Sequence, residues 1–331
     1  MKAIVPILKY ILLLAVGGIL LWLAFRGQDL SKIVSQLKNA NYTWVFFSIG
    51  LSLIAHYVRG LRWKMLVKPL GYAPSNFNMF NAVMVGYLAN LAVPRMGEVS
   101  RCGVLTKTDE VPLQSLIGTV IIERIIDVIF LLGILVLSVL IEFNTIKDFL
   151  YSNIINPFLE KFQNAQASLI LAIVIILLIV IGFILIKRYH QKLLNNRIYA
   201  NLWKFISGLK DGILSVGKME NKWLFIFYSV VIWAMYTLST WVCFFAIAPT
   251  AELSLSTGLF VMAVGGIGMS APVQGGIGAY EAAIQVALLV YGVSSADGLS
   301  YATLNHSSQI LSILIVGSIS LLFIFISNKK K

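Results

Sequence analysis

Three groups of charged and helix-breaking residues stand where the surrounding sequence is otherwise apolar. The first, Val93-Pro94-Arg95-Met96-Gly97-Glu98-Val99-Ser100-Arg101, closes the apolar stretch 76–93. The second, Glu123-Arg124-Ile125-Ile126-Asp127, lies well inside the apolar run 114–141. The third is Ala271-Pro272-Val273-Gln274-Gly275-Gly276-Ile277-Gly278-Ala279-Tyr280-Glu281. On a helix, Glu123 and Asp127 are four apart and share a face, with Arg124 three residues before Asp127. Each charge left in hydrocarbon costs about 2.5–3.5 kcal/mol, so three facing lipid would cost about 8–10 kcal/mol. They must face protein, and Arg95, Glu98 and Arg101 are the expected partners. Two chemistries fit: an ion network that only pins one helix to another, or a polar cavity that handles a substrate. In the second, Arg95, Arg101 and Arg124 suit phosphate, because a guanidinium makes bidentate contacts to oxygen anions. Glu98, Glu123, Asp127 and Glu281 would hold those arginines, receive a cationic head group or carry protons. These seven residues form the expected substrate-binding set.

The proline and glycine positions say how such residues are brought into apolar surroundings. Pro94 is followed by Gly97 and Glu98; Pro272 is followed by Gly275, Gly276 and Glu281. Proline removes a backbone donor and glycine relaxes the chain, so both places are expected helix breaks. Broken helices in corresponding places of two halves point to an inverted repeat with a transporter-type site, against the alternative of two unrelated turns. Gly265-Gly266-Ile267-Gly268 and Gly275-Gly276-Ile277-Gly278 repeat four letters ten residues apart. No strand and βαβ pattern accompanies them, so close helix packing is favoured over a phosphate loop.

The elements that must position these groups follow from composition. Of 331 residues 59% are hydrophobic and 12% charged, against about 25% charged in a soluble domain. Mean hydropathy is +0.87. Apolar runs fall at about 7–25, 43–61, 114–141, 168–187, 222–247, 254–271, 277–292 and 307–327. A crossing helix needs about 20 such residues, and a barrel strand about 10 of alternating polarity. The fold class is therefore an all-α integral membrane protein. About eight transmembrane helices are expected, plus a re-entrant or broken-helix element at 76–93, all in one polytopic domain spanning 1–331. Run 7–25 reads as an uncleaved first helix, since no small-residue cleavage site follows it. Cys102 and Cys243 are far apart, and His56, His190 and His306 lack ligand spacing, so neither a disulfide framework nor a metal or other cofactor is expected.

Charge orients the chain. The formal net charge is +12. Lys187–Lys222 carries eight Lys/Arg and two acids, Arg59, Arg62, Lys64 and Lys68 carry no acid among them, and the chain ends Lys329-Lys330-Lys331. The positive-inside rule puts all three on the cytoplasmic side. The stretch 142–161, with Glu142, Asp148 and Glu160 against Lys147 and Lys161, suits the outside. An odd number of crossings must separate 59–68 from 142–161, so 76–93 is expected to dip in and return. Both termini then face the cytoplasm, and irregular backbone at membrane depth implies a surrounding cavity. Arg59, Arg62, Trp63 and Lys64 read as snorkelling and aromatic anchors at the interface. The segment 188–221 reads as an amphipathic cytoplasmic linker. Basic surface here marks orientation and contact with anionic lipid, and nucleic acid is not an expected partner.

At these motifs the sequence resembles the transmembrane region of lysylphosphatidylglycerol synthase, also called the flippase-like domain family of inner-membrane proteins. The matching residues are Arg62-Trp63, Asn90 with Pro94-Arg95-Met96-Gly97-Glu98 and Arg101, Glu123-Arg124-Ile125-Ile126-Asp127, and Pro272 with Gly275-Gly276-Ile277-Gly278 and Glu281. The resemblance spans about 5–325. It implies lipid handling: in the family this membrane half is associated with flipping, and a separate soluble domain transfers the aminoacyl group. No polar segment here exceeds about 35 residues, too short for a domain, so the transferase is expected to be missing. The expectation is a phospholipid or lipid-linked glycan flippase of the inner membrane, not an enzyme, whose partners are membrane lipids and their anionic head groups. Two alternatives stay open: a proton-coupled transporter of a small polar solute, and a scaffold for an envelope-lipid or glycan enzyme.

Overall fold

Serine and asparagine caps start several of the helices, and apolar length decides how far each one runs. The computed structural model describes residues 4–157 and 220–328. Asn41 caps α3 (Tyr42–Val67) by accepting from Thr43 N–H, after α1 (Ile4–Phe25) and α2 (Leu30–Lys38). Ser75 caps α4 (Asn76–Ala92) through Asn78 N–H, and α5 (Met96–Asp109) follows after three residues. The chain then enters α6 (Leu113–Ile141) at Pro112. After the undescribed stretch come α8 (Lys222–Phe244), α9 (Leu255–Met269), capped by Ser254, α10 (Ala279–Leu289) and α11 (Ser295–Asn328). Residues 4–142 and 220–328 belong to one compact unit. Residues 143–157 belong to another, in which α7 (Phe143–Leu150) continues into a π-helical turn over Tyr151–Ile155. The run 168–187 and nearly all of the linker 188–221 lie outside the described residues.

Four described helices, α3, α6, α8 and α11, are long and apolar enough to cross a membrane. Their outward faces carry Phe46, Leu140 and Trp223 largely uncovered, while Arg62 and Glu123 are fully buried. That inverts the pattern of a water-soluble protein, as lipid solvation requires. The chain is an all-helical polytopic membrane protein.

The re-entrant element expected at 76–93 is a helical hairpin. Asn78 donates to the Asp109 carboxylate at one end, and Gly86 and Gly97 meet at the other, so α4 and α5 run antiparallel about a tip at 93–95. At 17 and 14 residues the arms span about 25 and 21 Å, short of a bilayer core of about 30 Å. A second hairpin replaces the two separate crossings expected at 254–271 and 277–292. Its arms, α9 and α10, have 15 and 11 residues, or about 22 and 16 Å. Gly268 abuts Ala279 and Ala283, Gly265 abuts Tyr280 and Ile284, and Phe260 meets Tyr291, which again makes the arms antiparallel. The glycines that the sequence assigns to close helix packing let the two arms touch. Replacing two crossings by one re-entrant hairpin leaves the parity of the chain unchanged.

The element order is thus long helix, hairpin, long helix, twice over: α3, α4–α5, α6 and α8, α9–α10, α11. The two leading helices pack antiparallel, since Ser52 meets Ser239 at 2.8 Å while Arg62 meets Ser229 at 3.1 Å. An antiparallel pairing of equivalent elements is the mark of an inverted repeat. Each closing helix packs on the first hairpin arm of the other half, α6 on α9 and α11 on α4.

Backbone contact at the first hairpin leaves no room for a side chain. A Cβ on Gly97 would lie 2.2 Å from the Gly86 carbonyl oxygen and 2.5 Å from the Asn90 amide nitrogen. Gly103, on the same helix, has nothing within 4 Å of such an atom. Gly97→Ala is therefore expected to lower thermal stability in detergent by about 1–3 kcal/mol through overpacking. Gly103→Ala should leave the melting temperature unchanged or slightly raised, and equal behaviour of the two variants would contradict this packing.

Candidate functional site

The mid-helix acids of α6 are neutralised mainly from α3. Arg59 and Arg62 are three residues apart and present both guanidinium groups to α6. Arg59 donates from Nε to Glu123 (2.8 Å), from Nη1 to Tyr87 (3.0 Å) and from Nη2 to Asp127. Arg62 donates to Asp127 Oδ1 (2.6 Å) and Glu123 Oε1 (3.3 Å), and its Nη1 reaches Ser229 (3.1 Å). Arg101 comes from α5 to within 2.8 Å of Glu123 Oε2 and stacks over Trp63. Trp63 in turn donates its indole N–H to Thr119 at 2.9 Å. On the outer side of α6, Arg124 pairs with Glu98 at 2.7 Å.

Glu98 and Arg101 thus partner the α6 group as the sequence suggests, and Arg95 does not. The sequence suggests interfacial anchors at Arg59 and Arg62, and the structure corrects this: they are 7% and 0% exposed and carry the centre of the network. The reason is the length of α3, which continues to Val67 and so keeps both arginines inside the bundle. A signal was present: their i, i+3 spacing matches the i, i+4 spacing of Glu123 and Asp127. Their burial also removes two of the four charges counted for topology there, leaving Lys64 and Lys68.

The two hairpin tips meet over this network and enclose a cavity of about 400 Å³. Its charged lining is Arg59, Asp127, Arg124, Glu98 and, from the first tip, Arg95. Its apolar lining is Leu91, Val128, Leu131, Met269 and Val273. Pro94, Gly275 and Gly276 line it as well, whereas Arg101 and Glu123 lie behind the charged lining. Tyr87, Tyr236 and Trp233, unremarked in the sequence, complete the side facing α8.

Glu281 stands apart from the cavity lining. Its Oε2 accepts from Gly278 N–H at 2.7 Å, and its Oε1 lies 2.6 Å from His306 Nδ1 on α11. His306 Nε2 donates to the Gly275 carbonyl at 2.9 Å, which ties the second tip to α11. Gly275, Gly276 and Gly278 all have positive φ there, a shape that glycine adopts without strain. Pro272 lies just before that turn, and Gly97 is buried where the first hairpin closes.

Residues 10–317 match the lysylphosphatidylglycerol synthase TM region. The chain belongs to that family. Among its curated relatives, a UPF0104 membrane protein of Methanocaldococcus jannaschii is 31% identical over 129 residues, 38% of this chain and 36% of the relative. A UPF0104 membrane protein of Methanothermobacter thermautotrophicus is 24% identical over 281 residues, 80% of each chain. The glycosyltransferase AglD of Haloferax volcanii is 24% identical over 107 residues, 32% of this chain and 17% of that protein. No solved structure matches.

Removing one member of a buried charge network strands the others, which typically costs about 3–5 kcal/mol. Arg62→Met should therefore unfold at markedly lower temperature in detergent. Arg124→Gln, whose side chain is 42% exposed, should cost no more than about 1 kcal/mol. If Arg62→Met melts with wild type, the network is not structural.

Proposed function

We propose that this protein is a flippase for phospholipid or lipid-linked glycan, multi-pass in the inner (plasma) membrane with both termini cytoplasmic. The observation that carries the reading is the cavity where the two hairpins meet, lined by both charged and apolar side chains. A lipid has the same two parts: the head group would lie against Arg95, Arg124 and Arg59, and the acyl chains would stay with the apolar side chains and the bilayer. The cavity lining holds three arginines (Arg59, Arg95, Arg124) against two carboxylates (Glu98, Asp127). The positive surplus favours an anionic head group. The match to a relative named as a glycosyltransferase supports lipid-linked glycans as a substrate class, and an envelope-lipid or glycan enzyme as a partner.

A second reading is a proton-coupled transporter of a small polar solute. What favours it is the inverted pair of broken helices itself, a layout that secondary transporters share.

One assay separates them. In proteoliposomes carrying reporter-labelled anionic, zwitterionic and glycan-linked lipids, wild type should accelerate translocation. Arg124→Gln and Glu98→Gln should slow it at least tenfold while remaining folded, since that pair is partly exposed to the cavity. Unaccelerated lipids together with uptake of a polar solute would overturn the flippase in favour of the transporter.

A further inference from the structure

The second hairpin tip is held by a buried pair that stands outside the cavity lining. His306 on α11 is 4% exposed and Glu281 on α10 is 6% exposed. Both ring nitrogens of His306 face acceptors: Nδ1 lies 2.6 Å from Glu281 Oε1, and Nε2 lies 2.9 Å from the Gly275 carbonyl oxygen. The other carboxylate oxygen, Oε2, accepts from Gly278 N–H at 2.7 Å. Among the described residues, the contacts to Gly275 and Gly278 are the hydrogen bonds that join the 274–278 turn to side chains outside it. Gly275 and Gly276 of that turn line the cavity, and Gly275 also abuts Leu91 of the first hairpin.

Donors and acceptors fix what this geometry requires. A neutral imidazole carries one N–H and one bare nitrogen. A neutral His306 beside an ionised Glu281 satisfies one of its two contacts, and the other sets a lone pair against an oxygen. Keeping both takes one further proton between Nδ1 and Oε1, whichever of the two atoms holds it. The loaded pair then has no net charge. Without that proton a single negative charge stays buried, which is costly. The remaining N–H goes to the carboxylate, because a charged acceptor makes the stronger hydrogen bond, and the Gly275 carbonyl is left facing a bare nitrogen. The surroundings supply no charge in its place. Tyr280 stacks on His306 at 4.6 Å with its hydroxyl held by Asn305, and Cys243 of α8 lies beyond Tyr280. Gly17 of α1, Met269 of α9 and Leu91 of α4 are the tip's other neighbours. Arg59, Arg95, Glu98, Arg124 and Asp127 share the cavity lining with Gly275, but none forms an ion pair with Glu281 or His306.

We propose that Glu281 and His306 form a binding site for one proton, and that loading it latches the second hairpin tip onto α11. Release of the proton undocks the tip and opens the cavity where Gly275 meets Leu91. The docked tip binds one proton more than the undocked tip. Raising the pH therefore favours undocking, by up to about tenfold in the ratio of the two states per pH unit. The inference goes beyond the flippase reading: it concerns how the cavity opens, and it holds for a lipid or a polar solute.

Hydrogen–deuterium exchange of the full chain in detergent tests this, read as protection relative to an unstructured peptide at the same pH. Wild-type protection over 270–278 should fall as the pH rises, by up to about tenfold per unit. Glu281→Gln is the decisive variant. Its amide N–H can donate to Nδ1 while its oxygen still accepts from Gly278 N–H, so all three contacts form around a neutral imidazole with no extra proton. This variant should keep the tip protected at every pH. His306→Phe, which removes both contacts of the ring, should leave the tip weakly protected at every pH. Wild-type protection that does not change with pH would overturn the proposal. So would a Glu281→Gln variant that keeps the wild-type pH dependence or exchanges as fast as His306→Phe. Lipids that fail to move in proteoliposomes would sink the flippase and leave this result standing, since exchange is read without a substrate.

Discussion

A carboxylate with no solvent access, contacted by three guanidinium groups, holds this bundle in register. Glu123 lies within 3.3 Å of Arg59, Arg62 and Arg101, and those residues come from α3 and α5. None of the four is tolerable alone in a low-dielectric interior; together they satisfy one another. The pairing fixes how far α3 and α5 can slide along α6. A displacement of one helical turn, about 5.4 Å, would break every contact at once. The charged lining of the cavity follows from that register. Asp127 is one turn further along the same face of α6, and Arg124 projects beside it toward Glu98.

Much of this was legible in the sequence. Long apolar runs gave the crossing helices, and the cost of charge in lipid marked Glu123, Arg124 and Asp127 as interior. Proline and glycine marked both breaks. The missing parts share a cause: sequence distance hides which faces meet. Arg59 and Arg62 sat next to Trp63 and Lys64 near the end of an apolar run, a context equally suited to an interfacial anchor, and only the observed length of α3 decides. The second hairpin was hidden because α9 and α10 are as apolar as crossing helices, and hydropathy does not register a reversal of direction. His306 had no visible motif because its partners, Glu281 and Gly275, arrive from a different hairpin.

The alignment of the halves also differs from the one the prolines suggest. Pro94 and Pro272 are not equivalent in the structure. The equivalent residues are the helix starts, Arg95 and Gly278, and the second tip is longer, running from Ser270 to Gly278 against Val93 to Arg95. The longer tip is closed on itself by glycines and by the Glu281–His306 contact. The shorter one directs its charges outward, into the space between the tips. Near-symmetric architecture thus carries an asymmetric site, with the charged lining supplied by one half and the apolar lining by both.

The exchange of closing helices has a consequence for how the chain is made. Every ion pair of the Glu123 network lies between residues 59 and 127, so neutralisation is complete once the first half has left the ribosome. Its apolar docking faces are not: α4 still lacks α11, and α6 still lacks α9. A half-synthesised chain is therefore electrostatically finished yet sterically open, and the second half has a preformed template to insert against. Biogenesis on these terms is sequential, with the half that holds the Glu123 network acting as the mould for the other.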